Sequence, residues 1–189
     1  MNLQAKDILF LQNRVAYIRD ELAYKKLFFH FYTSLHRFSL GIVKDFEVAE
    51  EIVSDTMMKM WDMGNKLATI EKLDAYLFTS IKNACFTFLS KKKLKISDID
   101  SETAHNFSDY YNPETHLLVS EMEKNINSCV NELPPQCVMV FKLIKEEGFS
   151  YKKVAGILEI SQNTIETHMR IALKRIRVSL SNYLSEKIK

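Results

Sequence analysis

Residues that break helices are scarce in this sequence. There are only 4 glycines and 3 prolines among the 189 residues. A β fold with many tight turns needs more of both, whereas long helices exclude them from their interiors. Apolar side chains recur at helical spacing through most of the chain. The sequence therefore predicts an all-α fold.

The longest interruption of the helical pattern predicts two domains. Apolar residues follow helical spacing through 3–40 and again from Asp45 onward, up to a lysine-rich helix end. Residues 95–113 lose the pattern and gain Ser, Asp and Asn, as linkers do. We therefore predict a helical bundle over 1–94, a flexible acidic linker over 95–113 and a second small bundle over 114–189.

Charge is unevenly distributed along the chain, although the net charge is only +2. Residues 96–132 are strongly acidic, residues 150–189 are basic, and a further basic cluster covers 91–95. Two basic segments separated by an acidic one fit two contacts with a polyanion, with the acidic stretch kept away from it. The alternative is that the lysines are merely exposed to solvent at helix ends and bind no polyanion.

The composition also bears on location. No apolar run approaches the length of a membrane span, and the N-terminal residues are too polar and acidic for a secretion signal. Cys85, Cys129 and Cys137 lack CxxC spacing, which is typical of buried small side chains in a reducing compartment. We expect a cytoplasmic protein without membrane insertion.

Sequence motifs of catalysis are absent. The sequence has no phosphate loop, no HExxH, no GxSxG and no paired metal-ligand spacing. The separation of His30 and His36 does not place two ligands on one face of a helix. We therefore expect no enzymatic activity, no cofactor and no metal ion.

The stretch YKKVAGILEISQNTIETHMRIALKRIR predicts a helix-turn-helix. Ser150 and Ser161 are good N-caps for two helices, which would end at Leu158 and near Leu184. Glu159 lies in the turn, where glycine is the easy residue. A left-handed backbone costs a residue with a Cβ atom roughly 1–2 kcal/mol. The alternative is an ordinary helical hairpin with a solvated basic face.

The outward face of the second helix predicts contact with DNA. Its polar and basic side chains could reach base edges and phosphates in a major groove. These side chains are Gln162, Asn163, Glu166, Thr167, Arg170 and Lys174. His168 lies in the same helix, where we expect it to pack near the turn.

Two regions, in this order, resemble bacterial sigma factors. DFEVAEEIVSDTMMKMW resembles the helix that grips RNA polymerase, and AYLFTSIKNACFTFLSKKK resembles the helix that faces the minus-ten promoter element. LPPQCVMVFKLIKEEGFSYKKVAGILEISQNTIETHMRIALKRIR resembles the promoter-reading C-terminal domain. The resemblance covers about 22–94 and 114–184, and chains with only these two domains form the extracytoplasmic-function group.

This resemblance implies a function and its partners. The chain would bind core RNA polymerase, direct it to promoter DNA, help to open the duplex and then be released. Relatives are often held by an anti-sigma factor, which the resemblance allows as a third partner, although nothing in the sequence shows one. A stand-alone regulator of the LuxR-like type stays an alternative, as does a helical adaptor that binds only protein.

The resemblance also implies sites in the first domain. Asp55, Met58 and Trp61 lie in the motif that contacts the coiled coil of the polymerase's largest subunit, with Trp61 as an aromatic anchor unless it packs in the core. The loop 62–72 corresponds to the segment that captures a flipped base, with Asn65 and Lys66 as donors. Phosphate contacts and a stacking ring, unless that ring packs in the core, would come from Lys82, Asn83, Phe86, Lys91, Lys92 and Lys93.

In the second domain the resemblance implies readers of the minus-thirty-five element: Gln162, Asn163, Thr164, Glu166, Thr167 and Arg170. Lys152, Lys153, Lys174, Arg175 and Arg177 would bind phosphates and set the register. The sequence departs from the family pattern at two positions. Glu159 replaces the usual turn glycine, and Glu166 stands where lysine is frequent. Glu166 would accept from a cytosine amino group or repel phosphate.

Overall fold

The chain divides into two compact units. The computed structural model describes residues 3–97, 126, 128–130 and 132–187. Contacts divide the chain into Met1–His105 and Asn106–Lys189. Every regular element in the described residues is helical, which confirms the predicted all-α fold with a helix-turn-helix in the second unit.

The predicted domain limits remain predictions. The division between the two units falls inside the predicted linker. Residues 98–113 of that linker lie outside the described residues, while its first three residues form the end of a helix.

The described residues of the first unit form four α-helices and a short 3₁₀ helix. Helix α1 spans Ala5–Ile18, α2 spans Glu21–Val43 and α3 spans Phe46–Asp62. The 3₁₀ helix Gly64–Thr69 follows, and α4 spans Leu73–Ser97. Because α2 contacts α1, α3 and α4, it is the central helix of this bundle.

The apolar stretch 3–40 is split into two helices, although its periodicity continues across the break. Arg19 adopts a left-handed backbone with φ 52° and ends α1. Asp20 then starts α2, since its carboxylate accepts hydrogen bonds from the backbone N–H groups of Leu22 and Ala23 at 2.9 and 3.1 Å. An aspartate in this role is a strong helix start signal.

The core of the first unit lies between α2 and the helices around it. Phe38 of α2 meets Phe78 of α4 edge to face, with ring centroids 5.2 Å apart. Ser39 and Cys85 join the same two helices through an Oγ–Sγ contact of 3.3 Å. Burial raises the pKa of the Cys85 thiol to about 11, so it is protonated at neutral pH. Further fully buried side chains are Leu27, Leu35, Met57, Met60, Leu67, Leu77 and Ile81.

The described residues of the second unit include three continuous α-helices, and residues 126 and 128–130 are also helical. Helix α5 spans Pro135–Phe141 and continues as a π-helical turn over Lys142–Glu146. Helix α6 spans Tyr151–Leu158 and α7 spans Gln162–Lys187. Pro135 occupies the first helical position, where proline loses no hydrogen bond. Within the described residues, no helix combines the length and apolar character needed to cross a bilayer.

Candidate nucleic-acid and polymerase interfaces

Helices α6 and α7 form a helix-turn-helix whose ends are capped. The Ser150 hydroxyl accepts from the backbone N–H of Lys153 at 3.3 Å. The Ser161 hydroxyl accepts from the backbone N–H of Thr164 at 3.1 Å and contacts the Thr164 hydroxyl at 2.8 Å. Val154, Leu158, Ile165, Met169, Ala172 and Ile176 are buried between the helices and the rest of the unit. The caps and this apolar face fix the direction of α7.

Glu159 takes the left-handed conformation that the turn requires, with φ 59°. Its backbone N–H donates to the carbonyl of Ala155, and the N–H of Ile160 donates to the same carbonyl at 3.2 Å. Few non-glycine residues adopt this conformation without cost. The turn therefore keeps the geometry of a glycine turn while carrying a strained residue.

Glu159→Gly should stabilise the protein by roughly 0.5–1 kcal/mol. Relief of the left-handed strain outweighs the extra entropy that glycine adds to the unfolded chain. Urea unfolding should show a higher midpoint. Glu166→Gly is the matched control, because the same exchange inside α7 should destabilise by roughly 0.5–1 kcal/mol. A lower midpoint for Glu159→Gly would contradict the strain argument.

The predicted base readers lie along α7. All except Thr164 are exposed: Gln162, Asn163, Glu166, Thr167 and Arg170. Spacings of three and four residues place most of them on one side of the helix. Thr164 is half-buried and its hydroxyl faces Ser161. The Thr164 hydroxyl takes part in the helix cap, and its predicted base contact stays a prediction.

The predicted phosphate contacts surround this face. Lys152, Lys174, Arg175 and Arg177 are exposed. Lys153 is half-buried, and its Nζ lies 3.5 Å from the centre of the Phe149 ring. His168 is half-buried with Nδ1 3.6 Å from the sulfur of Cys137, so it packs inside the unit against α5.

The predicted minus-ten residues lie on the 3₁₀ helix and along α4. Asn65 and Lys66 are exposed on the 3₁₀ helix. On α4, Asn83, Phe86, Lys91 and Lys92 are exposed, with 40% of Phe86 accessible. The side chain of Lys93 lies outside the described residues. The exposed ring of Phe86 is available for stacking.

Lys82, by contrast, is buried. Only 7% of its surface is accessible. The reason is its register: Lys82 follows Phe78 by four residues and precedes Cys85 by three, and both of these residues are buried. Residues with these spacings share a face of a helix. The predicted phosphate contact of Lys82 is therefore not supported by its position.

The predicted polymerase contacts lie on α3. Asp55 is exposed, and Met58 has 62% of its surface accessible although it is a large apolar residue. Trp61 is half-buried. Its ring packs edge to face on Tyr24 at a centroid distance of 5.0 Å. Trp61 thus belongs partly to the packing of the bundle and partly to its surface.

Arg19 supports Trp61 and was not identified from the sequence. Its guanidinium lies 4.2 Å from the centre of the Trp61 ring. The same side chain donates a hydrogen bond from Nη1 to the backbone carbonyl of Trp61. A cation beside the carbonyls at the end of α3 is favourably placed in the field of that helix. No pattern in the sequence predicts this contact, because it joins residues distant in the chain.

Gln12 was also missed, although the sequence carries a signal for it. It lies among the apolar residues of α1 and is buried, and its amide group donates to two backbone carbonyls at the 3₁₀ helix. A polar residue on an apolar helix face needs hydrogen-bond partners. The identity of those partners is visible only in the structure.

Two family models match the chain. The model of Sigma-70 region 2 matches residues 27–94, and that of Sigma-70 region 4 matches residues 123–176. Together they cover more than half of the 189 residues. The first match contains α3, the 3₁₀ helix and most of α4, and the second contains α5, α6 and the first half of α7.

Related proteins of similar length are also known. The chain is 22% identical to the ECF RNA polymerase sigma factor EcfG of Rhodopseudomonas palustris (strain TIE-1) over 147 residues, which are 78% of this chain and 79% of the relative. It is 24% identical to the RNA polymerase sigma factor SigV of Bacillus subtilis (strain 168) over 146 residues, 77% of this chain and 84% of the relative.

Solved structures share the fold. The sigma factor RpoE from Bartonella quintana, solved in complex with the anti-sigma factor NepR, has a TM-score of 0.64 and 23% identity, with 84% of this chain and 96% of that chain covered. CnrH, solved in complex with the cytosolic domain of CnrY, has a TM-score of 0.62 and 15% identity, with 93% of this chain and 98% of that chain covered. The ordered pair of matched regions, the similar lengths of the relatives and the shared fold agree. The chain belongs to the Sigma-70 family of RNA polymerase sigma factors, in its extracytoplasmic-function group.

Proposed function

We propose that this sigma factor binds its partners through three separate surfaces. These are a polymerase-binding ridge on α3, a strand-binding surface on the 3₁₀ helix and α4, and a duplex-reading face on α7. Sigma factors direct core RNA polymerase to promoters and start transcription there without catalysing the reaction themselves. The observation that carries the proposal is the simultaneous exposure of Met58 on the first unit and Arg170 on the second.

The polymerase-binding ridge consists of Asp55, Met58 and Trp61. An exposed apolar side chain flanked by a carboxylate suits a partner surface with both apolar and basic groups. The coiled coil of the polymerase's largest subunit is the proposed partner. Arg19 holds the end of this ridge through its contacts with Trp61. The fixed ring reduces the ordering cost of binding, as expected of an aromatic anchor.

The strand-binding surface consists of Asn65, Lys66, Asn83, Phe86 and the lysines at 91 and 92. Its donors and cations suit phosphates and base edges, and Phe86 suits base stacking. Opening the promoter is favourable only if the separated strand is bound. We propose that the non-template strand of the minus-ten element binds here, with one base captured by the 3₁₀ helix.

The duplex-reading face consists of Gln162, Asn163, Glu166, Thr167 and Arg170. Such side chains read base edges when a recognition helix enters the major groove. The surrounding basic residues Lys152, Lys174, Arg175 and Arg177 are exposed and would bind phosphates. We propose that this face reads the minus-thirty-five element.

An anti-sigma factor completes the proposed partners. The two fold neighbours were solved with NepR and with the cytosolic domain of CnrY. We propose that a comparable partner masks this chain until transcription is needed, and that the chain acts in the cytoplasm, where the genome is. A stand-alone LuxR-like regulator is not favoured, because such a protein has no use for a Sigma-70 region 2.

Run-off transcription with core RNA polymerase on genomic fragments tests the proposed function. Adding the chain should produce discrete transcripts that core polymerase alone does not make, and the chain should co-purify with core polymerase. Binding of the isolated chain to the same fragments should be weak. Tight promoter binding without polymerase, together with no new transcripts, would favour the stand-alone regulator.

A further inference from the structure

Helix α1 lies outside both matched family regions, the first of which begins at residue 27, and yet it packs on the 3₁₀ helix Gly64–Thr69. Gln12 is the buried polar residue at this contact, with 2% of its surface accessible. Burying an amide on an apolar helix face is costly unless its polar atoms are bonded. The amide at this position is therefore expected to bond polar groups across the contact.

Both N–H groups of the Gln12 amide serve the 3₁₀ helix. Nε2 donates to the carbonyl of Leu67 at 2.7 Å and to the carbonyl of Ile70 at 2.8 Å. The Leu67 side chain is fully buried, so the same residue is held through both its backbone and its side chain. One side chain from α1 therefore fixes the second half of the 3₁₀ helix.

The exposed half of the 3₁₀ helix carries the predicted base-capturing residues. Asn65 and Lys66 directly precede the anchored Leu67. The carbonyl of Lys66 accepts from the Thr69 hydroxyl at 2.8 Å. A 3₁₀ helix has poor internal hydrogen-bond geometry and gains little stability of its own. Its shape on the exposed side thus depends on contacts made from the buried side.

We propose that Gln12 is a positioning residue for strand capture. It holds the Gly64–Thr69 segment in the shape in which Asn65 and Lys66 receive a base, so that less ordering is required when the strand binds. Gln12 itself is buried and touches no DNA. This inference rests on the proposed function of the 3₁₀ helix as the site of base capture.

Gln12→Leu in the full chain, assembled with core RNA polymerase, tests this role. The probe is a fluorescent single-stranded oligonucleotide with the non-template minus-ten sequence of a promoter identified by run-off transcription. Loss of two buried hydrogen bonds should weaken oligonucleotide binding roughly 5- to 50-fold. Affinity for core polymerase should stay unchanged.

A series of oligonucleotides, each lacking one base, measures how much each base contributes to binding. A merely structural role of Gln12 would leave these contributions unchanged. With the unmodified chain, one abasic position should weaken binding strongly. With Gln12→Leu that penalty should shrink, because the segment no longer presents a formed site for the base. An undiminished abasic penalty in the variant would overturn the proposal.

Two further variants separate the possible outcomes. Ser39→Ala also removes a buried polar contact between two helices, the 3.3 Å contact to Cys85, and should leave strand binding unchanged. Gln12→Met keeps the side-chain length without the donors and should reproduce Gln12→Leu. If both Gln12 variants also lose polymerase binding, Gln12 supports the whole unit and the proposal is wrong.

The double variant Asn65→Ala with Lys66→Ala tests the proposed function separately. If it leaves strand binding intact, the 3₁₀ helix does not capture a base, and the proposed function fails together with the inference. If it weakens strand binding while Gln12→Leu does not, only the positioning role of Gln12 is overturned.

Discussion

Arg170→Ala should lower transcription from promoters that depend on the minus-thirty-five element roughly 5- to 150-fold. Arg170 is exposed on the outward side of α7, where a guanidinium can bond two acceptors of a guanine or a phosphate. A good bidentate base contact contributes about 1–3 kcal/mol of discrimination, and each 1.4 kcal/mol corresponds to about tenfold. Polymerase binding should be unchanged, because that contact is assigned to α3 in the other unit.

Lys174→Ala is the matched control for Arg170→Ala. Lys174 is exposed one turn further along α7 and is assigned to phosphate. Its loss should weaken all promoters alike and reduce the salt slope by about one, whereas loss of Arg170 should change the preferred sequence. Competition with a labelled sigma factor for core polymerase measures whether polymerase affinity is unchanged in Arg170→Ala. A loss of polymerase affinity as large as the loss of transcription in Arg170→Ala would contradict the assignment of promoter reading and polymerase binding to separate units.

Asp55→Lys should have the reverse effect and weaken binding to core polymerase by about 2–4 kcal/mol, or roughly 30- to 1000-fold. The exposed carboxylate is assigned to a basic surface of the polymerase, and lysine would place like charges against each other. Asp55 has a solvent-exposed position on α3, so the substitution should not disturb the bundle. Unchanged thermal unfolding checks that point.

Glu132→Lys makes the same change in net charge at an exposed position of the second unit. It should leave polymerase affinity within a few-fold of the unmodified chain. If the Asp55→Lys and Glu132→Lys variants have equal affinity for core polymerase in this competition assay, α3 is not the polymerase-binding helix. The residual DNA binding of the second unit should be the same in both variants.

Local signals in the sequence predicted the helix-turn-helix well, because they act over a few residues. Ser150 and Ser161 cap the two helices as expected. Glu159 has the left-handed backbone that its turn position required. Capping and turn geometry depend on the residues themselves, so these features were accessible without a structure.

Other features, some local and some between residues distant in the sequence, were not predicted. The sequence pattern runs through Arg19 without a break, since the left-handed residue there is not glycine. Lys82 was assigned to a phosphate from its charge, but its register places it beside Phe78 and Cys85 on the buried side of α4. The partners of Gln12 lie more than fifty residues away along the chain. Charge alone predicts affinity for an anion, and packing decides whether the charge is accessible.

The central claim is that the two units contact the same polymerase–promoter assembly at separate places. Photo-crosslinking from two exposed positions that have no assigned role, Lys59 on α3 and Ile171 on α7, tests it in a single promoter complex. A photoreactive side chain at position 59 should crosslink to the largest polymerase subunit, and one at position 171 to DNA at the minus-thirty-five element. Crosslinks from both positions to DNA alone, with none to polymerase, would contradict the account.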